Sequence, residues 1–280
     1  MRNRLIVILA GLSIVSIIFG LSIFKWSKYP SGYKQVNIAP RTLAKTQSAQ
    51  ELLRQAQDLE QRADQIGLKA IYQKLINDFP NHKDIANWQK KSDEINLKII
   101  FSPIAAPGLS QEYEIQPQDN LSKIAKQFNT TVELLMRSNE LSSDKINSGR
   151  KIKVWTGKFN VLVDKSQNTL ILKLNDEMMK TYAVATGINN STPVGTFKIV
   201  NKLLDPTWYK AGAVVDPGSP ENILGTRWLG FDLNGYGIHG TTEPESIGKQ
   251  ATAGCIRMLN PDVEELYSLL PVGTEVTIVD

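Results

Sequence analysis

The chain is 280 residues long, with 41% hydrophobic residues and 32 basic against 28 acidic side chains, a formal net charge of +4. That length allows two or three modules with ordinary apolar cores, and the small basic excess, without any long basic run, argues against a nucleic-acid partner. One cysteine excludes an internal disulfide framework, and one cysteine with two histidines leaves no cluster for a closed zinc site, so neither a metal nor another cofactor is expected.

Residues 5–24 form an uncharged run flanked by Arg2 and Arg4 before and Lys25 and Lys28 after. Roughly 20 apolar residues at ~1.5 Å each span a bilayer core, so residues 1–25 are expected to form a transmembrane helix, an anchor in the cytoplasmic or inner membrane. No small-residue cleavage pattern follows it, which favours an uncleaved anchor over a signal peptide. Residues 26–43, with Pro30, Gly32 and Pro40, read as a linker.

Residues 44–100 read as a short all-α segment. Leu52, Ala56, Leu59, Ala63, Ile66 and Ala70 recur at alternating steps of four and three, the stripe of an amphipathic helix that Gly67 would bend or break. Two further helices are expected, stopped by Pro80 and Pro103. The segment resembles a single tetratricopeptide-like helical pair. A lone unit cannot bury a core by stacking, so it is expected to serve as a stalk, a dimerisation element or a packing partner, with a protein partner as a further reading. His82 falls just after Pro80 and is expected to be a turn or cap residue.

Residues 101–111 read as a second linker. In residues 112–155 a short strand precedes Asn120 as a helix cap, Leu121, Ile124, Ala125 and Phe128 form one helical face, Thr131 caps a second helix, and a strand closes the unit. This βααβ pattern resembles the LysM module, an α+β unit that binds the glycan strands of peptidoglycan and chitin. The module's usual Gly-Asp turn is Gln118-Asp119 here.

Residues 158–280 are mostly strand. The runs 159–163, 169–173, 178–184, 195–201 and 275–279 are β-branched and separated by turn residues, and only 260–270 reads as a helix, with Asn260 as cap and Pro261 at its first position. A β-sandwich-like sheet domain is expected. The long stretch between Leu203 and Asn222, with Trp208 and Tyr209, is expected to be a lid or substrate wall.

The chemistry concentrates in residues 237–258, which hold the only cysteine, Cys255, and one of the two histidines, His239. A thiol attacks carbonyls as the thiolate, so a catalytic cysteine needs an imidazole to take its proton and gains from electropositive neighbours such as Arg257. Gly254 lets the backbone approach a substrate closely. By themselves, one Cys and one His in a neighbourhood also suit a buried, inert thiol.

Ile238-His239-Gly240-Thr241 followed by Thr252-Ala253-Gly254-Cys255-Ile256-Arg257 resembles the signature of the L,D-transpeptidases of YkuD type, usually His-Gly-Thr and then Ser/Thr-His-Gly-Cys-Ile/Val-Arg. The stretches 192–197 and 224–230 are similar to upstream motifs of that family. The resemblance departs at Ala253, where the family usually has histidine. It implies that Cys255, with His239 as base, attacks the stem-peptide carbonyl at an L-to-D bond, forms a thioester and passes the acyl group to an amine of a neighbouring stem. The backbone of Ala253, Gly254 and Cys255 is the expected oxyanion hole; Thr241 or Thr242, next to Gly240, would orient the imidazole; Arg257 would hold a stem carboxylate or brace the site; and Trp208 and Tyr209 would cover substrate. A carboxypeptidase using water as acceptor and a non-catalytic wall-binding protein are the alternatives. The peptidoglycan partners place the LysM and catalytic parts outside the cytoplasm, in the periplasm or cell wall.

Overall fold

A computed structural model of the chain describes residues 47–210 and 212–280. The expected membrane helix and first linker therefore lie outside the described residues. Among the described residues no helix is long and apolar enough to cross a membrane, and the expected architecture is corrected to the helical, βααβ and sheet units that follow.

Three helices come first: α1 (Ala49–Gln61), α2 (Gln65–Asp78) and α3 (Ile85–Ile100). Ser48 and Asp64 cap the first two by accepting the backbone N–H groups of Glu51 and Gly67. The break in the long apolar stripe falls at Ala63, whose φ is +55°, rather than at Gly67. Gly67 sits in the first turn of α2, where a Cβ would lie 2.6 Å from the capping carboxylate of Asp64. The helices pack on the C-terminal sheet domain instead of standing apart. Asn96 donates to the Met179 carbonyl at 2.9 Å, Asp93 accepts the Thr181 N–H at 3.2 Å, and Ile95, Ile99 and Ile100 enter the core of the sheet domain. Of the roles expected for this segment, the structure gives it that of a packing partner.

The βααβ unit consists of β1 (Ser110–Glu114), α4 (Leu121–Gln127), α5 (Val132–Ser138) and β2 (Lys151–Trp155), with β1 and β2 antiparallel from Ser110 opposite Trp155 to Glu114 opposite Lys151. Asn120 and Thr131 cap its helices through the N–H groups of Lys123 and Leu134. Gln118 takes a φ of +71°, a backbone that a glycine would adopt without strain, and Asp119 ties the turn by accepting from Gln116 N and the Tyr113 hydroxyl. The unit leans on its neighbours. Lys153 donates to the carbonyls of Ile99 and Ser102 at 2.7 and 2.9 Å, Trp155 Nε1 donates to the Ile100 carbonyl at 3.1 Å, and the Thr131 hydroxyl donates to the Ser268 carbonyl.

The remainder is built on one sheet. Its strands are β3 (Phe159–Asp164), β4 (Thr169–Leu174), β5 (Glu177–Ala183), β7 (Gly195–Leu204), β10 (Arg227–Phe231), β11 (Gly237–His239), β13 (Ile256–Arg257) and β14 (Glu275–Val279), in the order β13-β11-β10-β7-β14-β3-β4-β5. Two short pairs stand beside it, β6 (Thr186–Gly187) with β12 (Gln250–Thr252) and β8 (Trp208–Lys210) with β9 (Ala213–Val215). The expected sandwich is thus corrected to a single eight-stranded mixed sheet. Strict alternation of buried and half-buried residues along β3 and β4 shows that one face is covered. The cover includes helices: α3 packs on β5, and α6 (Asn260–Leu269) packs on β10 and β11. Alternation is the same whether a second sheet or a helix supplies the cover.

Candidate active site

The 16-residue interval between His239 and Cys255 has a topological cause. Strands β11 and β13 are parallel neighbours, with Ile238 opposite Ile256 and His239 opposite Arg257. Parallel neighbours cannot be joined by a tight turn, so a crossover of a dozen or more residues is required, and residues 240–255 supply it. Extending the register by one residue sets Cys255 level with Gly237. Residues two apart point to one face, so Cys255, in the bend just before β13, falls on the side of Arg257 and His239, its Cα roughly 8 Å from that of His239. All three line one cavity of about 540 Å³.

His239 is buried, 2% exposed, and its Nδ1 lies 2.7 Å from the Gly240 carbonyl. That contact assigns the ring proton to Nδ1 and leaves Nε2 as the basic atom. The Trp228 indole stacks on the imidazole, centroids 6.1 Å apart and planes 20° apart. Burial pushes the His239 pKa down to about 4; hydrogen bonds from the ring to the backbone of Gly240 and Ile223 oppose the shift, and the Arg257 charge reinforces it. Burial likewise pushes the Cys255 thiol up, against lowering by the Gly237 N–H and Arg257. The thiol donates to the Gly235 carbonyl at 3.4 Å. At neutral pH the pair therefore rests as thiol and imidazole, not as the thiolate that electropositive surroundings suggest from sequence.

The Cys255 turn depends on Gly254. Its φ is +138°, and a Cβ there would stand 2.7 Å from the Tyr236 ring. Its N–H already donates to Thr252 Oγ1 at 3.1 Å, so the oxyanion hole expected from Ala253, Gly254 and Cys255 loses its middle member to the turn. The Gly237 N–H, directed at the sulfur, is a donor that sequence reasoning missed.

Arg257 is 4% exposed, and its guanidinium holds Glu243 at 2.5 Å and Ser246 Oγ at 3.0 Å. It braces the crossover; of its two expected roles, this is the one its contacts serve. The Thr241 hydroxyl accepts the Glu243 N–H at 2.8 Å and Thr242 is exposed, so the part expected of them, orienting the imidazole, falls to the Gly240 carbonyl. Ala253 is exposed and puts only a methyl on the cavity wall, which leaves His239 as the one imidazole lining the cavity. His82 is in the helical segment, stacked on Trp88 at 4.4 Å.

Trp208 and Tyr209 lie on β8 of the β8–β9 hairpin and line the cavity, Tyr209 being 77% exposed. The hairpin's base is fixed by buried Asn222, whose amide donates to the carbonyls of Pro206 at 2.8 Å and Asp216 at 3.2 Å. Asn201 accepts the Trp228 Nε1–H at 3.0 Å, and a Cβ on Gly230 would sit 2.3 Å from that amide oxygen. Asn201, Asn222 and Trp228 were not singled out from sequence as site residues. The glycines flanking Trp228, at 230 and 237, were the available signal, since each leaves room for the indole.

A thiol just before β13 and an imidazole at the end of its parallel neighbour β11 thus line one aromatic-walled cavity. Residues 158–278 match the L,D-transpeptidase catalytic domain of YkuD type, and residues 113–155 match the LysM domain. The chain is 37% identical over 173 residues to YkuD of Bacillus subtilis strain 168, assigned as an L,D-transpeptidase, covering 59% of this chain and 97% of that protein. It is 44% identical over 126 residues to YqjB of the same organism, similarly assigned, covering 43% of this chain and 70% of that protein. A solved L,D-transpeptidase from Mycobacterium smegmatis superposes with a TM-score of 0.37 at 18% identity, over 47% of this chain and 64% of that one. The chain belongs to the L,D-transpeptidase family of YkuD type, with a LysM domain ahead of the catalytic domain.

Proposed function

We infer that Cys255 is the nucleophile and His239 the base of an acyl transfer on peptidoglycan stem peptides. The observation that carries this reading is that both side chains line one cavity, His239 at the end of β11 and Cys255 just before its parallel neighbour β13. The thiol loses its proton to His239 Nε2 as the sulfur bonds to the carbonyl carbon at the L-to-D bond. The carbon–nitrogen bond then breaks, the leaving D-alanine amine takes the proton back from His239, and a thioester remains. An amine from a neighbouring stem displaces the thiol and completes a cross-link. Backbone donors at the Cys255 turn would meet the oxyanion, and the Trp208–Tyr209 hairpin would wall the peptide in. Mass spectrometry of purified sacculi incubated with the protein tests this: new cross-links support it, shortened stems alone support the carboxypeptidase alternative, and unchanged stems leave wall binding as the function.

The LysM domain would hold the enzyme on the glycan strands, and both domains would then work outside the cytoplasm, where that polymer lies. Because the LysM unit shares contacts with the helices and the sheet domain, the test uses the full chain. The Cys255→Ala protein is expected to sediment with insoluble peptidoglycan and to be released by soluble N-acetylglucosamine oligomers. Release by stem peptides and not by glycan oligomers would assign retention to the catalytic cavity.

A further inference from the structure

Asn260 opens α6 and does not line the cavity, yet its side chain makes three bonds to backbone around the catalytic imidazole. Its Oδ1 accepts the Thr241 N–H at 2.9 Å and the Thr226 N–H at 3.4 Å, and its Nδ2 donates to the Thr241 carbonyl at 2.9 Å. The two N–H donors belong to two Gly-Thr steps, Gly225-Thr226 and Gly240-Thr241. Both glycines are needed for this approach. A Cβ on either would lie 2.2 Å from Asn260 Oδ1, and Gly225 also has a φ of +62°. The same two segments carry the backbone that meets the His239 ring: the Gly240 carbonyl, 2.7 Å from Nδ1, precedes Thr241 directly, and the backbone of Ile223 is three residues before Thr226.

We propose that Asn260 is a positioning residue for His239: one amide clamps the two backbone segments that hold the imidazole, and so fixes its tautomer, its orientation and its seclusion from water. Buried backbone N–H groups left without an acceptor shift until they find one. Loss of the amide therefore moves the Gly240 carbonyl and, with it, the ring. A displacement of about an ångström at a base costs up to ~100-fold in rate. The inference rests on His239 acting as the base.

The test compares steady-state turnover and its pH dependence in the full chain and three variants. Asn260→Ala is expected to lower kcat by ~10- to 100-fold with KM within about twofold. It should also move the acid limb of the pH profile from near 4 toward the ordinary imidazole value near 6.5, because a loosened ring regains solvent. Gly240→Ala should lower kcat similarly by pushing the amide away, and Asn260→Ala added to it should cost little more, since both changes undo one clamp. A folded Asn260→Ala protein with unchanged kcat and acid limb would overturn the proposal, as would a kcat loss that only follows the folded fraction while the limb stays in place. Strictly additive losses in the double variant would overturn it too. His239→Ala, measured alongside, separates the two readings: if it retains turnover, the base assignment fails first, and if it is inactive, the Asn260 results stand on their own.

Discussion

Replacing Cys255 with Ala, or His239 with Ala, should each lower stem-peptide turnover at least ~10,000-fold, and the double replacement should be no worse than either alone. The reason is geometric. His239 is the one imidazole lining the cavity that holds the chain's single thiol, and His82 belongs to the helical segment, stacked on Trp88. No other side chain in the cavity can accept the proton at neutral pH, because Arg257 is already engaged by Glu243 and Ser246 and its guanidinium carries no lone pair to offer. Residues that act as one unit do not add. Ala253→His, by contrast, adds a side chain to an exposed position of the cavity wall, and turnover should change only about twofold. Turnover in His239→Ala within tenfold of the parent would remove the Cys–His pair from the mechanism.

What could be read from the sequence and what could not divide along a physical line. Strands and caps are local: Asn120 and Thr131 cap their helices as expected, and runs such as 159–163 and 169–173 became β3 and β4. Cys255 and His239 do line one cavity, as their nearness in sequence and the family signature suggested, but the parallel pairing of β11 and β13 that brings them there was not read from the sequence. The choice between a sandwich and one helix-covered sheet was not legible. An alternating strand reports that one face is buried and is silent about what buries it, and here α3, from a segment whose expected roles included a stalk and a dimerisation element as well as a packing partner, covers part of β5. The roles of Asn201, Asn222 and Asn260 were invisible for a related reason, and Asn260, expected as the helix cap, is instead the first residue of α6 behind the N-cap Leu259. Each is a side-chain amide bonded to groups distant in sequence, such as Asn260 with Thr226 34 residues away, and such bonds leave no period in the chain.

Lowering the pH should reveal how deeply the imidazole is buried. With His239 held to about 4, the acid limb of kcat/KM is expected near that value, and burial of the thiol places the alkaline limb above the ordinary cysteine range, so activity should be flat through neutrality. The same shift acts on stability. An unfolded chain protonates this ring near 6.5 and the folded one only near 4, so above pH 6.5 both forms are neutral and nothing is lost. As the pH falls from 6.5 to 4, the unfolded state takes up a proton that the folded state refuses, and the fold loses on the order of 3 kcal/mol over that window. Urea unfolding of the parent and of His239→Gln at pH 7, 5.5 and 4.5 isolates this contribution, because carboxylate titration is common to both proteins. The gap between their stabilities should shift in favour of the variant as the pH drops. Parallel curves, or an acid limb of kcat/KM at pH 6.5 or higher, would mean a ring that meets solvent or pairs with a thiolate at rest, and the buried neutral pair would have to be abandoned.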